Sequence, residues 1–161
     1  MNKRMALILT IAGATATTAV VGTLGAAAAT KPSAAAATPA ASLMHVRAVL
    51  DSGHVVPHPA TAGAGAAGLF TATWDGSILR YTFTFKKLSG PATSAQIRTG
   101  GVKASGPIAQ PLCVPCFSPE TGVVPLYTQQ IAALKAGRLY VIVQTNADAD
   151  GEIRGQLSLQ K

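Results

Sequence analysis

Hydrophobic and polar residues alternate with a period of two in short runs from about residue 43 onward. The first run, LMHVRAVL, places apolar Val46 and Leu50 on one side of an extended chain. It places polar His45 and Arg47 on the other side. Such alternation is typical of antiparallel strands that have one face against a core and the other in water. The pattern therefore predicts a β domain.

The same alternation recurs in later runs, each bounded by Gly, Pro or polar residues. Asp75 and Gly76 separate the second run from the third and suit the tight turn of a hairpin. Leu79, Tyr81 and Phe83 then share one inner face. The number of runs predicts an all-β, antiparallel sandwich or barrel of about seven or eight strands. The runs lie at 43–50, 68–74, 78–85, 95–99, 108–113, 122–126, 139–145 and 153–159.

One segment, TQQIAALKAG, has helical rather than strand spacing. Ile131 and Leu134 make an apolar stripe, Thr128 suits a helix N-terminus, and Gly137 suits the end of the last turn. We predict one short helix near 128–136 that covers one end of the β core.

The N-terminal residues have a composition unlike that of the rest. Lys3 and Arg4 precede an uncharged apolar run at 5–24, and the small residues of GAAAAT follow. This order is typical of a cleaved export signal, and an uncleaved membrane anchor is the alternative because the run is nearly long enough to span a bilayer. A segment rich in Ala and Pro, without apolar periodicity, then resembles a flexible linker. The predicted division is a signal peptide at 1–29, a linker at 30–42 and a β domain at 43–161.

The chain is basic, but an exported protein is not expected to meet nucleic acid. Without Lys3 and Arg4, 11 of the 13 basic residues remain against 6 acidic ones, a net charge of +5. The basic residues are spread along the domain rather than clustered with stacking aromatics, which argues against nucleic acid. A solvated surface is the main interpretation, and weak attraction to anionic envelope polymers or lipid headgroups is the alternative. We expect a secreted or extracellular protein, associated with the cell surface, whose partner is a protein or an envelope polymer.

The stretch QTNADADGEIRGQL poses a choice between a calcium loop and a hairpin turn. Asn146, Asp148, Asp150 and Gly151 fit the first half of a calcium loop, but Leu157 stands where a bidentate Glu is needed. The flanking segments alternate as strands, not helices. We therefore predict a hairpin whose Asn, Asp and Gly serve turn geometry, with a weak calcium site as the alternative.

Cys113 and Cys116 in CVPC are the only cysteines of the chain. In an oxidising compartment they predict a short-loop disulfide that stiffens the turn. A redox pair would place the first cysteine at a helix N-terminus, whereas the following FSPETG is not helical. Zinc would need two further ligands. A small thiol redox protein and a metal site remain as alternatives to the disulfide.

The histidines suggest a second weak metal hypothesis. His54 and His58 bracket VVP, and three intervening residues let both reach one Cu or Zn ion. Such spacing arises easily by chance, so solvated loop histidines are the main interpretation. Asp51, Ser52 and His54 lie too close along one segment to form a catalytic triad. We predict neither a catalytic set nor a cofactor.

Three segments carry a resemblance to a known family. They are LSGPATSAQI at 88–97, LKAGRLYVIVQT at 134–145 and GEIRGQL at 151–157. Over about residues 43–160 the chain resembles the chordin-type domain, or CHRD family, found in secreted bacterial proteins and in animal chordin. The resemblance implies a secreted β domain with a non-catalytic role in binding or in cell-envelope architecture. It implies no particular growth factor as a partner.

The chain departs from the family at several chemically important positions. Family members commonly have His-x-His where this chain has Gln96, Ile97 and Arg98, and a further His where it has Gln144. A family Glu is likewise Val55 here. Gln and Arg are poor replacements for imidazole as metal ligands. Any family metal site at these positions is therefore predicted to be lost in this chain.

Glu152 and Arg154 remain as in the family. They are two positions apart on a predicted strand and so lie on the same face. Because both are next to a tight turn, we expect a structural ion pair that fixes the final hairpin. The alternative is a carboxylate and a guanidinium presented to a partner.

Overall fold

The computed structural model describes residues 42–160, so the predicted signal peptide at 1–29 and nearly all of the predicted linker lie outside the described residues. The described part is mostly β, with one α-helix and one short 3₁₀ turn at Ser52–His54. No helix in residues 42–160 is long and apolar enough to cross a bilayer. The strands are β1 (Met44–Asp51), β2 (Ala67–Trp74), β3 (Ile78–Lys86), β4 (Ala92–Thr99), β5 (Ile108–Cys113), β6 (Glu120–Pro125), β7 (Leu139–Thr145), β8 (Ile153–Gln156) and β9 (Ser158–Gln160), and the helix is α1 (Thr128–Lys135).

The nine strands form one antiparallel sheet that curls into a nearly closed barrel. Their order is β5-β4-β7-β8-β1-β2-β3-β6, and β9 also pairs with β1. The all-β prediction is confirmed. The strand predicted at 153–159 is two strands, because the Leu157 amide still bonds to the Leu139 carbonyl at 2.8 Å while the next residues pair with β1.

The barrel interior is filled by alternate residues of the strands. Leu79 and Phe83 of β3 are fully buried, as the alternation predicts. Phe70 of β2 stacks on Tyr81 with ring centroids 5.4 Å apart. Burial of each large apolar side chain contributes about 1.5–3 kcal/mol to the free energy of unfolding, so this interior provides most of the stability.

Helix α1 covers one end of the barrel with buried Ala133 and Leu134. Its start differs in detail from the prediction, because the Gln130 side chain, not Thr128, accepts from the free Tyr127 amide at 3.1 Å. Its end at Gly137 is as predicted. The helix also places Gln130 beside an edge strand of the sheet.

The edge strands β5 and β6 lie at opposite ends of the strand order, so a ladder of backbone hydrogen bonds does not join them. Side chains bridge this seam instead. The Tyr81 hydroxyl reaches from β3 to the Leu112 carbonyl on β5 at 2.9 Å. Its ring passes Gly122 of β6, where any Cβ would collide with the phenol. Gln130 adds a second bridge by donating to the Ala109 carbonyl at 2.8 Å.

Replacement of Tyr81 by Phe tests the seam. The variant keeps the ring but leaves the Leu112 carbonyl without its donor, so we expect the free energy of unfolding to fall by about 1–3 kcal/mol in urea denaturation. Burial raises the pKa of Tyr81, so its hydroxyl keeps its proton and remains a donor at neutral pH. Tyr127→Phe, at an exposed position, is the matched control and is expected to change stability by less than about 0.5 kcal/mol. Equal effects in both variants would contradict the seam role.

Candidate functional site

The outer surface of β7 and β8 is covered by two loops. The first loop comprises residues 52–66 and the second loop residues 100–107. Val55 of the first loop forms a small apolar cluster with Tyr140 and Ile142 of β7, outside the barrel interior. The two loops also meet, because the Ser105 hydroxyl donates to the Val56 carbonyl. The final hairpin is therefore buried on both faces.

Glu152 holds the first loop from the base of this hairpin. Its carboxylate is fully buried and accepts from the Gly63 amide at 3.0 Å, the Ser89 amide at 2.6 Å and the Ser89 hydroxyl at 2.8 Å. Burial by itself raises the pKa of Glu152, but these hydrogen bonds outweigh it and hold the pKa below its ordinary value. The side chain is thus a buried carboxylate that ties the first loop to the β3–β4 turn.

Arg154 holds the second loop in the same way. Its guanidinium is 1% exposed and donates from Nη2 to the carbonyls of Gly101 and Ala104, the latter at 3.0 Å. It also lies over the Tyr140 ring, 3.6 Å from the ring centroid. Burial lowers the pKa of Arg154, yet an Arg with two carbonyl acceptors and an aromatic face remains charged at neutral pH.

The structure differs from the predicted ion pair. Within residues 42–160, the one pair of basic and acidic side chains closer than 4.0 Å is His54 with Asp51, not Arg154 with Glu152. Each member of the predicted pair bonds to a separate loop. Both are buried, which does not fit presentation to a partner. Both side chains hold loops in place, and they do not bond to each other.

Asp148 and Gln156 extend this arrangement along the hairpin. The Asp148 carboxylate accepts from the amides of Ala60 and Thr61 at 3.1 and 3.3 Å and from the Thr61 hydroxyl at 3.0 Å. Gln156 donates to the Gly100 carbonyl at 2.8 Å. Four polar side chains of the hairpin thus hold the covering loops.

The stretch QTNADADGEIRGQL forms a hairpin, as predicted. Strands β7 and β8 pair antiparallel on either side of the turn. Gly151 has a φ of 133°, and a Cβ there would collide with Ile142. The Asp148 carboxylate faces N–H and O–H donors, which repel a cation. In the part of the chain that is described, no three His, Cys, Asp or Glu side chains are grouped to hold a metal ion.

The two histidines of the metal hypothesis have different surroundings. His54 Nδ1 lies 2.7 and 2.8 Å from the two carboxylate oxygens of Asp51, at the start of the first loop. His58 instead lines a shallow groove together with Asp148 and Asp150. His54 Nδ1 is therefore already engaged by Asp51, while His58 lies in a different setting.

The positions that depart from the family histidines lie together on the outer face of β4 and β7. Gln96 Nε2 donates to Gln144 Oε1 at 3.3 Å, and the Ser94 hydroxyl donates to the same oxygen. Arg98 pairs with Tyr140 across the two strands. The residues present form an amide network, which lacks the imidazole nitrogens that transition metals prefer.

The disulfide prediction is confirmed, since the sulfurs of Cys113 and Cys116 are 2.01 Å apart. The Cys116 amide donates to the Ala92 carbonyl at 3.2 Å, which fixes the loop against β4. Cys113 ends a strand rather than preceding a helix, so it lacks the helix N-terminus of a redox pair. Val114 and Phe117 flank the buried Cys116 and are exposed.

A groove of about 460 Å³ lies beside this loop. Its walls come from the end of β3, the β3–β4 turn and the disulfide loop. Lys86, Lys87 and Phe117 are among the residues that line it. We call Val114, Phe117, Lys86 and Lys87 the disulfide-loop surface. Sequence reasoning identified the disulfide but not this surface, because its two halves are about 30 residues apart in the chain.

Comparison with known proteins identifies the family of the chain. A model of the CHRD domain family matches residues 46–157, from β1 to the residue that follows β8. The match confirms the resemblance inferred from the three sequence segments. No curated protein and no solved structure matches the chain.

Glu152→Gln tests the buried carboxylate. A carboxylate whose pKa is lowered on folding contributes stability above its ordinary pKa, and this contribution is lost as the pH falls. We expect wild type to be more stable than the variant at pH 7, and the difference to shrink as the pH falls below the ordinary value of 4.5. Urea denaturation at a series of pH values measures both.

Asp150→Asn is the matched control for Glu152→Gln, because Asp150 is an exposed carboxylate on the same turn. It is expected to change the free energy of unfolding by less than about 0.5 kcal/mol. A difference between wild type and Glu152→Gln that stays constant across the acid range would show that the Glu152 charge does not stabilise the fold.

Arg154→Lys tests the tether of the second loop. Lys keeps the charge but lacks the planar fork that reaches two carbonyls and stacks on an aromatic ring. We expect the amides of Ala104 and Gly106 to exchange hydrogen at least about tenfold faster, while the exchange in β2 and β3 changes little. Hydrogen exchange with mass spectrometry measures this. Arg138→Lys, at an exposed position, is expected to leave the loop protected, and unchanged exchange in both variants would refute the tether.

Proposed function

Because the chain belongs to the CHRD domain family, we propose that it is a secreted, non-catalytic binding module of the cell envelope. CHRD domains occur generally in secreted and extracellular proteins. The disulfide between Cys113 and Cys116 supports an oxidising compartment. The order of basic, apolar and small residues at 1–29 supports export by a signal peptide.

The main support for this proposal is that the polar side chains of the last hairpin hydrogen-bond within the protein rather than facing solvent. Asp148, Glu152 and Arg154 are all buried and bonded to backbone groups of the loops. Chemistry on a substrate requires such groups to be accessible, whereas here they build a rigid scaffold. A rigid scaffold with exposed loops supports a role in binding.

The charge and the N-terminal segments support a place in the envelope. A net charge of +5 after signal removal attracts the anionic polymers and headgroups of cell surfaces. The Ala/Pro-rich segment at 30–42 is suited to separate the domain from a surface. Protein and envelope polymers are therefore the partner classes we propose, and nucleic acid is not among them.

Fractionation of bacterial cells that express the full chain with a C-terminal tag tests the proposal. We expect the exported form to begin near residue 30 by intact mass, and to be recovered with the envelope fraction rather than with soluble proteins. Salt should release it from that fraction if charge contributes to retention. A chain without residues 2–29 is the control and is expected to stay in the cytoplasm. Recovery of the full chain as a free soluble protein would contradict the envelope role.

A further inference from the structure

We propose that the disulfide-loop surface binds anionic lipid bilayers. In this arrangement Val114 and Phe117 enter the headgroup region, and Lys86 and Lys87 contact the anionic headgroups. The inference rests on the proposed function, because it names the partner of that binding module. Three features of this end of the barrel support it: the exposed apolar side chains, the anchored disulfide loop and the neighbouring lysines.

Two apolar side chains project from the tip of the disulfide loop. Val114 is 77% exposed and Phe117 is 69% exposed, more than the other large apolar side chains of residues 42–160. Exposing two such side chains in one short loop gains nothing in water. Exposed apolar groups concentrated in one loop are typical of contact with a partner or a membrane.

The loop that carries them is held in place on both sides. The Cys113–Cys116 disulfide closes it, and Cys116 is buried and bonded to β4. On the other side, the Ser118 hydroxyl accepts from the Phe85 amide of β3 at 2.9 Å. Insertion of the tip therefore requires little ordering of the chain, which lowers the entropic cost of binding.

Basic side chains flank the tip. Lys86 and Lys87 are exposed and line the same groove as Phe117. Two carboxylates bond to the segments that line this groove. Glu120 accepts from the Phe117 amide at 3.3 Å, and the buried Glu152 accepts from the Ser89 amide at 2.6 Å. Both carboxylates bond to the backbone, so the exposed charges of this end are those of the two lysines. Lysines beside exposed apolar groups complement an anionic bilayer.

The shape favours a bilayer over a peptide. Phe117 and the two lysines border an open groove, but the side chains of Val114 and Phe117 extend into solvent. Outward apolar side chains beside lysines suit insertion into a bilayer surface better than enclosure of a peptide. The chain also enters the domain elsewhere, because Met44 pairs with Trp74 at one end of the sheet and Lys86 pairs with Ala67 at the other. The disulfide-loop surface thus lies at the end of the sheet opposite the start of β1.

Co-sedimentation of the exported protein with vesicles tests the inference. The probes are vesicles of phosphatidylcholine alone and vesicles that also contain phosphatidylglycerol. We expect binding to the anionic vesicles at least about fivefold stronger than to the neutral ones, and loss of this preference in high salt. Equal binding to both vesicle types, or binding to neither, would overturn the inference.

Two double variants locate the binding site. Val114→Ser with Phe117→Ser removes the apolar tip, and Lys86→Glu with Lys87→Glu reverses the charge. Each is expected to weaken binding to anionic vesicles about tenfold. The matched control is Val49→Ser with Val123→Ser, which removes two exposed apolar side chains from the strands and should leave binding unchanged. Comparable loss in the control pair would overturn the location.

The outcomes separate this inference from the proposed function. Every variant is first compared with wild type in urea denaturation, so that loss of folding is recognised. If the protein is retained in the envelope fraction but does not bind anionic vesicles, the lipid inference is refuted and the proposed binding module stands. If the protein is neither retained in the envelope fraction nor bound to anionic vesicles, both are refuted.

Discussion

The burial of one carboxylate and one guanidinium on the outer face of the last hairpin determines how the loops of this domain run. Removal of an ionised group from water costs several kcal/mol unless hydrogen bonds replace the lost hydration. Glu152 obtains them from the amides of Gly63 and Ser89, and Arg154 obtains them from the carbonyls of the second loop. The loops must therefore approach these two side chains, although apart from the 3₁₀ turn at Ser52–His54 they have no regular secondary structure.

This constraint gives the domain two layers around one hairpin. Ile153 points into the barrel interior, while its neighbours Glu152 and Arg154 point toward the loops. The apolar cluster of Val55, Tyr140 and Ile142 belongs to this outer layer, and Arg154 lies over its Tyr140 ring. The GEIRGQ segment, which carries much of the family resemblance, is thus the part of the chain on which both layers depend.

The alternation of apolar and polar residues predicted most of the barrel, because every second residue of a strand with one buried face is apolar. The bounds of β5 and β7 agree with the prediction, whereas β4 begins earlier, at Ala92, since an irregularity next to Ser94 interrupts the period. The loop tethers could not be predicted. Spacing places Glu152 and Arg154 on one face, but their partners are backbone groups, which every residue carries and no sequence pattern marks.

Barrel closure and the disulfide-loop surface depend on the same segment of the chain. The seam between β5 and β6 lacks a backbone ladder, so it is held by side chains: Gln130 at the helix end and Tyr81 further along. At the opposite end the disulfide loop joins the two strands directly. The loop that raises Val114 and Phe117 into solvent therefore also completes the barrel. Any change that loosens this loop weakens the closure of the sheet and the presentation of the apolar tip together.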